Sequence, residues 1–168
     1  IAMVNGWCFG GAYGPLFACD LAIAAEEAQF GLSEINWGIL PGGGATKVAT
    51  NSMSFRDAMY HAMTGEAIDG RKAAEWKLVN EAVPLSKLRA RVLEIATVLL
   101  KKNPVALKAT KDAVRRVTEM TYENAVRWYN WDPFTHITRE QATVGALRKA
   151  AGDHDVSIQA LSKKEKTG

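Results

Sequence analysis

Two stretches of this chain hold residue types suited to acid–base or electrostatic chemistry. The first runs from Gly6 to Gly14, Gly-Trp-Cys-Phe-Gly-Gly-Ala-Tyr-Gly. A buried strand leading through glycines into a helix start leaves backbone N–H groups without intrahelical acceptors, with the positive end of the helix dipole behind them. Donors so placed stabilise a developing oxyanion, and losing one typically lowers a rate by about 10²–10³-fold. Tight packing of strand on helix, with Gly merely avoiding a clash, explains the same spacing equally well. The second stretch centres on Glu34, set between Phe30-Gly-Leu and Ile35-Asn-Trp37-Gly-Ile-Leu40. So much apolar sequence around a carboxylate predicts partial desolvation, which raises its pKa and makes it usable as acid or base near neutrality. A surface Glu at a strand end is the plainer and commoner alternative. Glu26 and Glu27 lack such flanks and read as solvated.

Other constellations fail on spacing. The dinucleotide fingerprint needs Gly two before Gly11, where Phe9 stands. Gly42-Gly43-Gly44-Ala45-Thr46-Lys47 lacks the spacing of a phosphate loop. Ser33 has no closing Gly for a nucleophile elbow. Cys8 and Cys19 read as small buried hydrophobes, and His61, His136 and His154 are scattered. His154 between Asp153 and Asp155 reads as a solvated cluster in a tail, so no metal is implied.

The elements that must position these residues divide into two regimes. Nine of the 14 Gly fall within residues 1–44. There, Ile1–Val4, Leu21–Ala25 and Gln29–Leu32 read as short buried strands, with helical character over Leu16–Cys19. Strand, helix and strand at this spacing make a βαβ unit in an α/β layer. From Ala45 the pattern turns helical. Phe55–Met63 stops at Gly65, Asp69 caps a helix through Lys77, and Leu78–Val83 is a strand ended by Pro84. Leu85, Leu88, Val92, Ile95 and Leu99 form one helix face, and Pro104 opens another helix. Thr121 caps a third through Trp131, stopped by Pro133.

The totals set the outer limits. The 168 residues, 48% apolar and 23% charged, suffice for one domain with a core, and exclude a disordered chain. No apolar run reaches the ~20 residues of a membrane span, and two cysteines with no secretory signal predict a reducing, cytoplasmic setting. Net charge is +3, too small to argue for nucleic acid, and its basic excess over 101–168 is read as a solvated helical face. The opening Ile-Ala-Met-Val, already inside an apolar run, reads as a fragment lacking N-terminal sequence.

Ile1-Ala-Met-Val-Asn-Gly-Trp-Cys-Phe-Gly-Gly11 and Phe30-Gly-Leu-Ser-Glu34-Ile-Asn-Trp-Gly-Ile-Leu-Pro-Gly-Gly resemble the crotonase (enoyl-CoA hydratase/isomerase) superfamily. Met63-Thr-Gly65, Ala73 through Asn80, and Asn103-Pro104 continue the resemblance over about residues 1–125. Within it, Gly31-Leu-Ser-Glu-Ile-Asn-Trp-Gly38 is most similar to the hydroxycinnamoyl-CoA hydratase-lyases. The resemblance implies an α/β fold, the C-terminal part of a crotonase-type ββα spiral over 1–84. It also implies trimerising and lid helices over 85–150, while the polar composition from Ala151 onward predicts a mobile tail over 151–168. The activity it implies is hydration of a hydroxycinnamoyl-CoA double bond, then retro-aldol cleavage to an aromatic aldehyde such as vanillin and acetyl-CoA. General enoyl-CoA hydratase or isomerase activity and a non-catalytic thioester-binding subunit are the rival readings.

Carried onto this chain, the resemblance makes Gly11 the backbone donor to the thioester oxygen and Glu34 the group that activates water. Trp37 would line the acyl pocket. Ordinary hydratases place a second catalytic Glu three residues after the oxyanion Gly. That position is Gly14 here, where the hydratase-lyases often carry Ser. A Tyr that the group uses on the substrate's phenol, from a neighbouring subunit, falls by ungapped counting at Asn130, beside Tyr129. The second oxyanion donor and much of the CoA adenine site would lie upstream of Ile1. No cofactor is implied, coenzyme A entering as part of the acyl-CoA substrate, and the expected assembly is a homotrimer or a dimer of trimers.

Overall fold

The computed structural model describes residues 1–125, which divide into a unit over Ile1–Thr97 and a second beginning at Val98. In the first unit, the first four strands alternate between two sheets. β1 (Ala2–Val4) and β3 (Ala22–Ala25) pair in parallel, Ala2 opposite Ala22, while β2 (Trp7–Phe9) and β4 (Gln29–Gly31) pair in parallel, Trp7 opposite Gln29. Between the two turns of chain lies α1 (Tyr13–Ala18). Strand, strand, helix, and then strand upon strand again is the ββα spiral that the resemblance implies. Two more strands complete the sheets: β5 (Ile68–Asp69) runs antiparallel to β4, and β6 (Glu81–Val83) parallel to β3.

The central strand explains its own composition. All four residues of Ala22–Ala25 are buried, as expected of a parallel strand covered on both faces. Tyr13, Ile23, Phe30, Leu32 and Leu88 are the large side chains of the core, each worth roughly 1.5–3 kcal/mol when fully buried. Around them pack α2 (Ala45–Ser52), α3 (Phe55–Thr64), α4 (Gly70–Glu75) and α5 (Leu85–Leu100). On α5 the predicted face is partly realised: Leu88 is buried and Val92 and Ile95 lie on the core, but Leu85 is exposed. Among the described residues no helix is long and apolar enough to cross a membrane.

Several expected boundaries move. The Gly6–Gly14 stretch is not one strand entering a helix, for β2 intervenes and a 3-10 turn over Gly10–Ala12 precedes α1. α1 accordingly begins three residues before Leu16. Asp69 does cap α4 by accepting the Lys72 N–H, but α4 ends at Glu75 rather than Lys77. Lys77 takes φ +68°, and the N–H groups of Leu78 and Val79 turn back to the Ala73 carbonyl. Leu78 and Val79 therefore stay out of the ladder, while the Asn80 N–H donates to the Ala22 carbonyl of β3 just before β6 begins, which shortens the expected strand. In the second unit α6 (Pro104–Val117) opens with Pro104 as expected, capped by Asn103 Oδ1, which accepts the N–H groups of Val105 and Ala106. Thr121 Oγ1 accepts the Asn124 N–H, a cap at the predicted place, and the predicted end of that helix lies outside the described residues.

Candidate active site

Parallel pairing decides which loops meet. β2 and β4 run side by side with Phe9 opposite Gly31, so the segments leaving the two strands emerge at the same end. After β2 comes the Gly10–Ala12 turn, and after β4 a 3-10 turn over Ser33–Trp37 that carries Glu34. The two candidates from the sequence are thereby neighbours, although far apart in the chain.

The first turn starts from extended Phe9 (φ −122°, ψ 145°) and bends at Gly10 with φ +50°. Its closing bonds run from the Tyr13 N–H to the Gly10 and Gly11 carbonyls. The N–H groups that open such a turn have no acceptor within it. Gly11 is exposed, with nothing within 4 Å of where a Cβ would stand. Gly14, in the first turn of α1, is likewise unobstructed: a side chain there would meet nothing within 4 Å. Its lack of a carboxylate is therefore not imposed by crowding.

Glu34 is half-buried, and its burial has a different origin from the one its neighbours suggested. Ile35, Trp37, Ile39 and Leu40 are all exposed, Trp37 by 81%. The carboxylate is instead lodged against the first turn: a Cβ on Gly10 would stand 2.8 Å from Glu34 Oε1. Gly10 thus combines a positive φ that favours glycine with a carboxylate lying where a side chain would begin. Glu34 Oε2 is buried without a hydrogen-bond partner among the described residues. Leaving such an atom unpaired costs about 1–3 kcal/mol or more, which marks the group as placed for something other than stability.

The turn bearing Glu34 is held from below by α3. Asn36 Nδ2 donates to the Gly65 carbonyl at 3.3 Å, and Gly65 caps α3 at φ +66°. Gly38, also left-handed at φ +72°, closes the turn.

One buried feature was not legible from residue types. Tyr13 Oη and His61 Nε2 are 2.7 Å apart, and both residues are fully buried. Burial first, then the neighbouring Cys8 and Glu34, raise the Tyr13 pKa, so the phenol stays neutral. Burial lowers the His61 pKa against a smaller opposing pull from the Glu66 backbone, leaving an uncharged ring at neutral pH. Its Nδ1 is buried and faces the Glu66 backbone without a hydrogen bond of good geometry among the described residues, and the ring meets Trp76 edge-on. The available signal was the inward spacing of Ala58, His61 and Gly65 along α3. Cys8 is buried as expected, its thiol pushed up to about 11, whereas Cys19 is only half-buried. Tyr129 and Asn130, with His136 and His154, lie outside the described residues.

The sequence profile of a family described as enoyl-CoA hydratase/isomerase matches residues 1–148. The chain belongs to the enoyl-CoA hydratase/isomerase family. It is 56% identical over 123 residues to the hydroxycinnamoyl-CoA hydratase-lyase of Pseudomonas fluorescens, covering 73% of this chain and 45% of that protein. Over 123 residues it is 33% identical to the 2,3-dehydroadipyl-CoA hydratase of Escherichia coli strain K12, covering 73% and 48%. The crystal structure of an enoyl-CoA hydratase from Bacillus anthracis superposes with a TM-score of 0.71 at 28% identity, covering 95% of this chain and 57% of that one. The fold is the crotonase fold of this family. The chain spans about half the length of the curated relatives it matches.

Proposed function

We propose that this family member is the part of a hydroxycinnamoyl-CoA hydratase-lyase that supplies the proton-transfer carboxylate and one oxyanion donor. The observation that carries the reading is a half-buried carboxylate lodged against Gly10, the neighbour of exposed Gly11, with Gly14 where a second acid would stand. The far greater identity to a hydratase-lyase than to a 2,3-dehydroadipyl-CoA hydratase over a stretch of equal length supports it.

Glu34 takes a proton from water as the oxygen bonds to the β-carbon of the enoyl thioester. The electron pair of the double bond shifts toward the thioester, whose oxygen becomes anionic and accepts the Gly11 N–H. Return of the proton to the α-carbon completes hydration. Cleavage sends electrons the same way: Glu34 takes the β-hydroxyl proton, the C–O bond becomes the aldehyde carbonyl, and the pair from the breaking bond between the α- and β-carbons passes to the thioester as the aldehyde leaves. The acetyl-CoA enolate again places negative charge at Gly11 until Glu34 returns the proton to the α-carbon. Both halves need one base and one oxyanion site, which accords with a single carboxylate.

Trp37, open in this chain, would border the acyl group, and Tyr129 or Asn130 would face the phenol. Exposed Trp37, Leu40 and Phe55 support an assembly that covers them, which we take to be a homotrimer or a dimer of trimers. Sedimentation of the full-length protein as a monomer would overturn that assembly.

The deciding experiment gives the full-length protein feruloyl-CoA together with crotonyl-CoA and follows the products by mass. Vanillin with acetyl-CoA is the expected result. Hydroxybutyryl-CoA alone would leave a general hydratase, the reading favoured by the identity to the E. coli hydratase. Thioester binding without product would leave a non-catalytic subunit.

A further inference from the structure

We propose that the buried Tyr13–His61 pair is a positioning device, holding the Gly11 amide and the Glu34 carboxylate at their working separation. The inference rests on the roles proposed above for those two groups. Tyr13 and His61 are themselves fully buried, so neither touches substrate.

Tyr13 belongs to the turn it would steady. Its N–H closes the turn on the carbonyls of Gly10 and Gly11, and Gly10 is also the surface against which Glu34 Oε1 rests. Fixing Tyr13 therefore fixes the oxyanion donor and the seat of the carboxylate together. The anchor, His61, stands on α3 and bonds the phenol at 2.7 Å across 48 residues of chain. One helical turn later the same helix ends at Gly65, whose carbonyl accepts from Asn36 in the Glu34 turn. A Cβ on Gly65 would stand 2.7 Å from Ile35 Cγ2, so the contact is as close as glycine permits. The last turns of α3 thus grip the Gly11 turn through His61 and the Glu34 turn through Gly65.

Filling the core does not require this pair. Two apolar groups of the same shape can replace a buried hydrogen bond at little loss of stability. A hydrogen bond adds a fixed direction and distance, and the bond can run either way: phenol O–H onto Nε2, or Nε2–H onto the phenol oxygen. Glutamine offers both a donor and an acceptor, which makes it the conservative replacement for His61.

The test uses the full-length protein and whichever of feruloyl-CoA and crotonyl-CoA it turns over. Tyr13→Phe and His61→Leu are each expected to lower kcat at least about 10-fold with KM within about threefold, the pattern of misplaced catalytic groups. The double variant should be no worse than the poorer single one, and His61→Gln should recover kcat to within about threefold. A fall in melting temperature with kcat unchanged would overturn the proposal, as would equal kcat for His61→Gln and His61→Leu. Should Tyr13→Phe fail to fold, the comparison of those two variants decides alone. Glu34→Gln is measured alongside. Full turnover in Glu34→Gln would end the catalytic reading and this inference with it, whereas an inert Glu34→Gln beside a fully active Tyr13→Phe would end this inference only.

Discussion

At Glu34 two demands on one side chain pull apart. A half-buried carboxylate with Oε2 unpaired is poor for stability, yet that state suits a group that must take and return protons. Replacing it by the isosteric amide removes the charge and leaves the shape. Glu34→Gln is therefore expected to lower kcat by about 10²–10⁴-fold with KM little changed. Its melting temperature should be no lower than that of the parent protein, because a buried charge has been removed. Steady-state kinetics and a thermal melt on the same preparation check both halves. Cys8 illustrates the opposite case: burial pushes its thiol to about 11, which leaves it protonated and unreactive at neutral pH.

A 3-10 turn of three residues has little stability of its own, so Gly10–Ala12 takes its shape from what surrounds it. Gly10 supplies the bend and Glu34 lies over it. In Gly10→Ala the new methyl would meet the far end of a flexible side chain, which can move aside, while φ +50° adds roughly 1–2 kcal/mol of strain. The larger effect is on chemistry, since the carboxylate that moves is the proposed base. We expect kcat to fall by about 10²-fold, a displacement of about 1 Å being enough for that, with only a modest drop in melting temperature. Equal kcat in Gly10→Ala and the parent protein would show that the seat of the carboxylate is immaterial.

His61 carries a consequence for the molecule as a whole. Below the ordinary histidine value of 6.5, the unfolded chain takes up a proton that the buried, pKa-lowered imidazole refuses. The unfolded state then binds more protons, so stability falls as pH drops from 6.5 toward the lowered folded value. Above 6.5 both states are neutral at this residue and the contribution vanishes. Carboxylates add their own acid dependence at lower pH, so the informative quantity is a difference. Urea midpoints between about pH 6.5 and 5 should decline less steeply in His61→Gln than in the parent protein. Parallel curves would show that His61 does not set this slope.

Features under local control could be read directly from the order of residues. The Gly65 stop, the Asp69 cap and the Pro104 start all rest on interactions within a few residues of each signal, and apolar runs mark the strands Ala2–Val4 and Ala22–Ala25, although only the second is buried. A glycine run, an apolar setting and a resemblance likewise point to Gly11 and Glu34. Long-range packing settled the remainder. β2 is three residues long with Trp7 84% exposed, and it is a strand because β4 lies beside it. The apolar flanks of Glu34 are exposed, and its burial comes from Gly10, brought alongside by the parallel register. Tyr13 and His61 meet across 48 residues. Periodicity and capping act over one or two turns of chain, whereas register and burial depend on elements far apart in sequence, and the candidate site is made where those distant elements come together.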